Sequence, residues 1–200
     1  TEVRLKDKEG KSAGNIDVVL VSYNAAGKVT DFGALEVQAV YISGNVRNPL
    51  EYYMQNPTHR SSMDWSGHVN YPNPDYLSSS RKRLAPQLIF KGGIFKAWNK
   101  KAAVALNKGF FETLPTLDEV EPAHADIAWL IYDLVKDSKS NTYKLQRYKI
   151  VYTKFHESLE KITRSEPGSV NDFVEHLQLK VNEKFEDGEA PDTETIDAPF

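Results

Sequence analysis

The chain has 200 residues, 40% of them hydrophobic and 26% charged, with 11 Gly, 10 Pro and no Cys. This is the composition of an ordinary globular protein of one medium domain. The lack of cysteine excludes disulfide scaffolds, thiolate nucleophiles, thiolate zinc sites and cysteine-ligated iron–sulfur clusters.

A cysteine-free chain suits a reducing compartment. No apolar run approaches the roughly 20 residues needed to span a bilayer, so no membrane association is expected. No signal peptide is visible, and a start at Thr1 instead of Met reads as a piece processed or cropped from a longer chain. The net charge of −3 hides a segregation. Residues 183–200 carry Glu183, Glu186, Asp187, Glu189, Asp192, Glu194 and Asp197 against Lys184, a sum of −6 that leaves +3 on the first 182 residues. A single core domain over 1–185 followed by a disordered acidic tail over 186–200 is the expected organisation.

In chain order, Ile16 to Tyr23 is β-branched and aromatic, and is followed by the turn-rich Asn24–Lys28. A second run extends from Phe32 or Ala34 to Ile42. The two predict a hairpin that is apolar on both faces and therefore central in a sheet. Residues 44–76, with four Pro, read as a long loop holding a short helix near Leu50–Met54. Leu84, Leu88, Phe95, Trp98, Ala102 and Ala105 recur at helical spacing and predict a helix from about Ala85 to Phe110, bent or split at Gly92-Gly93. Strands are expected over Asp126–Val135 and Tyr143–Thr153, then a helix over Lys154–Thr163. A last helix is capped by Ser169, with Asp172 three residues on, and repeats Phe173, Leu177, Val181 and Phe185. The order β-β-α-β-β-α-α indicates an α/β (α+β) domain with a mixed central sheet flanked by helices.

No acid occurs between Asp75 and Glu112, an interval that carries Arg81, Lys82, Arg83, Lys91, Lys96, Lys100, Lys101 and Lys108. Such a stretch is either the footprint of a polyanion binder or a solvated Lys-rich helix face. Gly10-Lys11-Ser12 is no phosphate loop, because position 5 is Leu where that loop needs Gly. His59, His68, His124, His156 and His176 show no metal-ligand spacing, and no GxSxG or HExxH motif occurs.

Three polar residues interrupt the apolar strands: Asp17 in the first, Glu36 and Gln38 in the second. An unpaired buried carboxylate costs several kcal/mol, so acids in a central strand need a reason. Glu36 and Gln38 are two apart and share a sheet face, and an antiparallel neighbour can bring Asp17 beside them. Two carboxylates, the Val37 carbonyl and water form an all-oxygen site suited to Mg²⁺, which can activate water and offset charge on a phosphodiester. The plainer alternative is an edge strand whose polar residues face solvent.

The pattern Asp17…Glu36-Val37-Gln38 resembles the D…(D/E)-x-K signature of the PD-(D/E)xK nuclease superfamily, with Gln in the Lys position. The longer sequences GNIDVVLVSY, GALEVQAVYISGNVR and ADIAWLIYDL resemble NotI-type type II restriction endonucleases, in which Gln also takes that position. The similarity extends from residue 1 to about 155. It implies a PD-(D/E)xK nuclease-like core in which Asp17 and Glu36 ligate Mg²⁺ with the Val37 carbonyl. Gln38 then orients or polarises the attacking water or the scissile phosphate. The superfamily often adds an acid from a helix before the first strand, and Glu2 stands where that helix would end.

Two departures are evident. Gln is neutral, so the charge stabilisation credited to Lys must come from elsewhere, such as a second metal ion. The NotI-type pattern also has a cysteine-ligated metal module ahead of the core, with no counterpart in these residues. The resemblance implies a prokaryotic, cytoplasmic enzyme without an organic cofactor. It would cut double-stranded DNA site-specifically as a homodimer, two equivalent sites serving the two strands. Arg47, Arg60, Arg81, Lys82, Arg83 and Lys91 are the expected DNA contacts. The alternatives are an inactive nucleic-acid-binding module and a repair or recombination nuclease without a unique site.

Overall fold

The computed structural model describes residues 2–64, 66–67, 69–140 and 142–186. The expected acidic tail lies outside these from residue 187 on, as does His68. The described chain forms two compact units, one ending at Thr163 and one beginning at Arg164.

The first unit opens with an antiparallel pair, β1 (Val3–Lys6) and β2 (Ser12–Ile16). Its turn is closed by Asp7, whose Oδ1 accepts from the amides of Glu9 and Lys11, both at 2.9 Å. Gly10 there adopts φ +78°, a conformation that costs glycine little. A bend at Asp17 separates β2 from β3 (Val18–Tyr23), which turns at Asn24–Lys28 into β4 (Val29–Val37). Asn24 Oδ1 accepts from Ala26 and Lys28, a side-chain-closed turn of the type expected for this sequence. Next come β5 (Tyr41–Ser43), a helix at Arg47–Gln55 and β6 (Asn73–Asp75), which pairs with β5. Residues 44–76 thus contain more regular structure than a loop with one short helix.

Helical backbone then runs without a break over residues 76–97, with π-helical turns at Ser80–Leu84 and Leu88–Gly92. Gly92 and Gly93 do not split it; both have helical φ, near −60°. A Cβ on Gly92 would stand 2.7 Å from the Phe155 ring, so this glycine serves close helix packing, not a kink. The helix ends at Trp98 and Asn99, the latter at φ +54°.

The expected helix over 102–107 is instead strand β7 (Ala102–Asn107). Ala102, Val104 and Leu106 are buried in strict alternation, period two, whereas the preceding apolar residues follow a helical period. After a short helix at Lys108–Glu112 come β8 (Ile127–Asp137), β9 (Thr142–Thr153) and a helix at Phe155–Thr163.

The main sheet has the order β3-β4-β7-β8-β9. β4, β7 and β8 are mutually parallel, and both outer strands run antiparallel to their neighbours. The fold is therefore a mixed sheet flanked by helices, as expected. The expectation that the first hairpin is central fails for β3, which is an edge strand with Leu20, Val21 and Tyr23 exposed. One sheet face carries Val104, Leu106, Ile127, Trp129, Ile131 and Val151 against Leu84, Leu88, Phe110 and Phe155. Trp129 is fully buried, and its indole N–H is satisfied by Thr153 Oγ1 at 2.9 Å. A second cluster (Leu5, Ile16, Ala34, Phe95, Ala102) ties the β1–β2 pair to β4 and the long helix.

The second unit is described from Arg164 to residue 186 and contains the Val170–Glu186 helix. Ser169 caps it as expected, its Oγ accepting from the Asp172 amide at 3.4 Å.

Candidate active site

β3 and β4 pair antiparallel with Val18 opposite Leu35 and Val19 opposite Ala34. One more step places Asp17 opposite Glu36. At that step the chain bends, and the Asp17 carboxylate takes the place of a backbone acceptor: its Oδ2 accepts from the Val37 amide at 2.8 Å. The two acids are close enough that the charge on Asp17 contributes to raising the Glu36 pKa. Parallel pairing of β4 with β7, Glu36 beside Val104, is carried one residue past β4 by the Gln38 amide, which donates to the Ala105 carbonyl at 2.8 Å.

Glu36 and Gln38 are both buried, at 5% exposure, and Val37 between them is exposed, so the alternation inferred from their spacing holds. Gln38 Nε2 donates to the Ala39 carbonyl at 2.9 Å, which fixes the amide and leaves Oε1 without a partner among the described residues. Glu36 Oε1 is likewise buried and has no partner among the described residues. Buried oxygens without donors are rare because each forfeits its hydration. Two of them on one strand face, next to a second acid, make a hard, oxygen-only donor set that fits a divalent cation of the magnesium type. Among the described residues no group of three or more acidic, histidine or cysteine side chains that could hold a metal ion forms.

Glu36 Oε2 has a partner that was expected elsewhere. Lys91 Nζ lies 2.5 Å from it and 2.6 Å from the Asn15 carbonyl. Burial raises the Glu36 pKa, the Lys91 ammonium opposes that rise, and Asp17 adds to it. Lys91 is thus no surface phosphate contact: its side chain is 8% exposed and committed to the site. The sequence does carry the sign of its burial. Lys91 falls on the buried stripe Leu84, Leu88, Phe95, filling the gap between the last two, and a lysine on an apolar stripe requires a buried acceptor.

Glu2 is exposed, and the element it precedes is a strand, not a helix. The β1–β2 register, Val3 opposite Ile16, brings it across from Asp17 by one further step. Its carboxylate, however, accepts from Asn15 Nδ2 at 3.1 Å.

The remaining bases divide by what they touch. Arg81, Lys82 and Arg83 are exposed on one turn of the long helix, with Arg83 over the Tyr41 ring. Arg47 is exposed and paired with Glu51 at 2.7 Å, while Arg60 stacks on Tyr52, 3.6 Å from the ring centroid. Lys96 is bound to Asp126, Lys100 to Asp31, and Lys108 lies near Asp133 and Glu112. Lys101 donates to the Pro122 carbonyl. Five of the eight bases in the acid-free interval, Lys91, Lys96, Lys100, Lys101 and Lys108, are therefore engaged within the fold.

No curated protein matches the chain significantly. The family model for restriction endonuclease NotI matches residues 1–145, which includes β1 through β9 as far as its first residues and every site residue above. The chain belongs to the NotI restriction endonuclease family, and so to the sequence-specific DNA endonucleases.

Proposed function

We propose that the chain is a Mg²⁺-dependent type II restriction endonuclease with a PD-(D/E)xK-type site, acting as a homodimer on a two-fold symmetric sequence in double-stranded DNA. The observation that carries this reading is the pair of buried oxygens without a partner among the described residues, Glu36 Oε1 and Gln38 Oε1, on the strand to which the Asp17 carboxylate is bonded. Asp17 and Glu36, with the Val37 carbonyl, would hold the ion. When bound, the ion supplies Lewis acidity toward the scissile phosphate and lowers the pKa of attacking water. Asp17 contributes rigidity as well as charge, because the Val37 amide anchors it to the strand that carries Glu36. Gln38 presents a fixed acceptor to a water proton, its amide group held by Ala39. Arg81, Lys82 and Arg83, with Arg47 and Arg60, contact phosphates and guanine edges. Symmetric DNA cut on both strands calls for two equivalent sites, hence the dimer. Glu2, opposite Asp17 by register, is an auxiliary acid of the same row.

Incubation of plasmid DNA with the protein in Mg²⁺, with and without excess EDTA, tests this directly. Discrete fragments that disappear with EDTA are expected. A smear would indicate a nuclease without a unique site, and intact DNA that is retarded on a gel would indicate an inactive binding module.

A further inference from the structure

We infer that Lys91 is a positioning residue of the nuclease site: from the long helix it supplies the cation that Gln38 leaves missing on the strand, and it holds Glu36 so that one carboxylate oxygen faces the metal. The inference rests on the nuclease reading above and names a residue that the D…(D/E)-x-K pattern does not contain.

Three observations support it. The first is the division of labour on Glu36. Oε2 is held by Lys91 Nζ at 2.5 Å, and Oε1 is buried with no partner among the described residues. A carboxylate clamped at one oxygen has its rotation fixed, and the other oxygen is the one available to an ion. The second is the way Lys91 itself is held. Its ammonium also donates to the Asn15 carbonyl at 2.6 Å, two residues before Asp17, and its stem lies along Gly14. Gly14 has φ +107°, which side-chain-bearing residues rarely adopt. Lys91 therefore joins the segment leading into Asp17 to the strand of Glu36, and its position sets their relation.

The third is cost. Lys91 occupies the buried stripe of Leu84, Leu88 and Phe95, where an apolar side chain would pack without desolvating a charge. It also sits in a π-helical turn, a deviation from regular geometry often found at functional positions. A buried ammonium that packing alone does not require, bonded to the acid of the site, is accounted for by a role there.

The ammonium and a divalent ion are both drawn to Glu36, so they repel each other. Lys91 consequently weakens resting metal affinity while maintaining the geometry needed for turnover. Lys91→Met is expected to bind Mn²⁺ about ten-fold more tightly, since removing a neighbouring positive charge strengthens a cation site. Its kcat for DNA cleavage should nevertheless fall at least about 100-fold, with KM for DNA changed less than about three-fold because the DNA contacts lie elsewhere. Adding Gln38→Lys to Lys91→Met should recover part of the missing kcat by returning a cation to the strand. A residue that only packs would lower Mn²⁺ affinity and kcat together and would not be rescued by a change at position 38.

A measurement on the unsubstituted protein removes any dependence on the variants' folding. The ¹⁵Nζ resonance of Lys91 should shift on addition of Ca²⁺. An unmoved resonance at saturating Ca²⁺, or a folded Lys91→Met with unchanged kcat, would overturn the inference while leaving the nuclease reading intact. A wild-type protein that neither binds Mn²⁺ nor cuts DNA would overturn both.

Discussion

The Asp17 carboxylate accepts the main-chain amide of Val37 at 2.8 Å, so one acid of the site is fastened to the strand that bears the other. Charge and scaffold are separable here. Asp17→Asn keeps an oxygen that can accept from Val37 but loses the negative charge, whereas Asp17→Ala loses both. On the proposed role of Asp17 as a metal ligand, both variants should cleave DNA at least about 100-fold more slowly. Only the alanine should also lose about 1–2 kcal/mol of stability, because it leaves a main-chain donor unsatisfied. Denaturant unfolding alongside a cleavage time course separates the two effects. Wild-type cleavage by either variant would remove Asp17 from the site.

The Glu36–Lys91 pair is buried on both sides, and that makes single substitutions misleading. Glu36→Ala strands an ammonium in the interior and should destabilise by about 3 kcal/mol or more. Replacing both partners with apolar residues, Glu36→Leu with Lys91→Met, should cost less than about 1 kcal/mol, since a desolvated ion pair and a packed apolar pair are often close in energy. Neither protein should cut DNA. Equal destabilisation by the single and double variants, measured by urea unfolding, would show that the pair is not the source of the cost.

Exposed and consumed bases should differ in their salt signature. Replacing Arg81, Lys82 and Arg83 with alanine should weaken DNA binding and reduce the magnitude of the slope of log K against log salt by about 0.9 for each phosphate left unneutralised. Lys96→Met removes a charge already paired with Asp126 at 2.9 Å, so it should lower stability and leave the slope unchanged. Binding titrations at several salt concentrations discriminate between them. An unchanged slope in the triple variant would assign phosphate binding to other residues.

Asp126 joins three elements. Its Oδ1 accepts from Lys96 Nζ at 2.9 Å and its Oδ2 from the Phe155 amide at 3.1 Å, at the start of the Phe155–Thr163 helix. Partial burial pushes its carboxyl up, but those two donors, together with the charges of Lys96 and Lys154, outweigh burial and hold it below its ordinary value of 3.8. A depressed folded-state pKa stabilises at pH above the ordinary value, and that contribution is lost as the pH falls through the folded one. Asp126→Asn should therefore cost about 1–2 kcal/mol at pH 7 and flatten the acid limb of the stability curve below about pH 4. Identical acid limbs for wild type and variant would exclude Asp126 as a contributor.

The sequence by itself determined the mixed α/β character, the hairpin turn at Asn24, the cap at Ser169 and the shared face of Glu36 and Gln38. These follow from local rules: side-chain period, turn chemistry and capping act within a few residues. It also pointed to Asp17, because an acid in an apolar strand is anomalous wherever that strand lies. Tertiary structure alone decided what depends on distant neighbours. Residues 102–107 read as helix because alternating small apolar residues continue a preceding helical spacing; they became a strand because β4 and β8 supply hydrogen-bond partners on both sides. β3 became an edge for want of a second neighbour. Lys91 moved from an expected phosphate contact to the interior because the long helix crosses the site. Its acceptor, Glu36, lies 55 residues away in sequence, and no local pattern encodes which acid a buried lysine will meet.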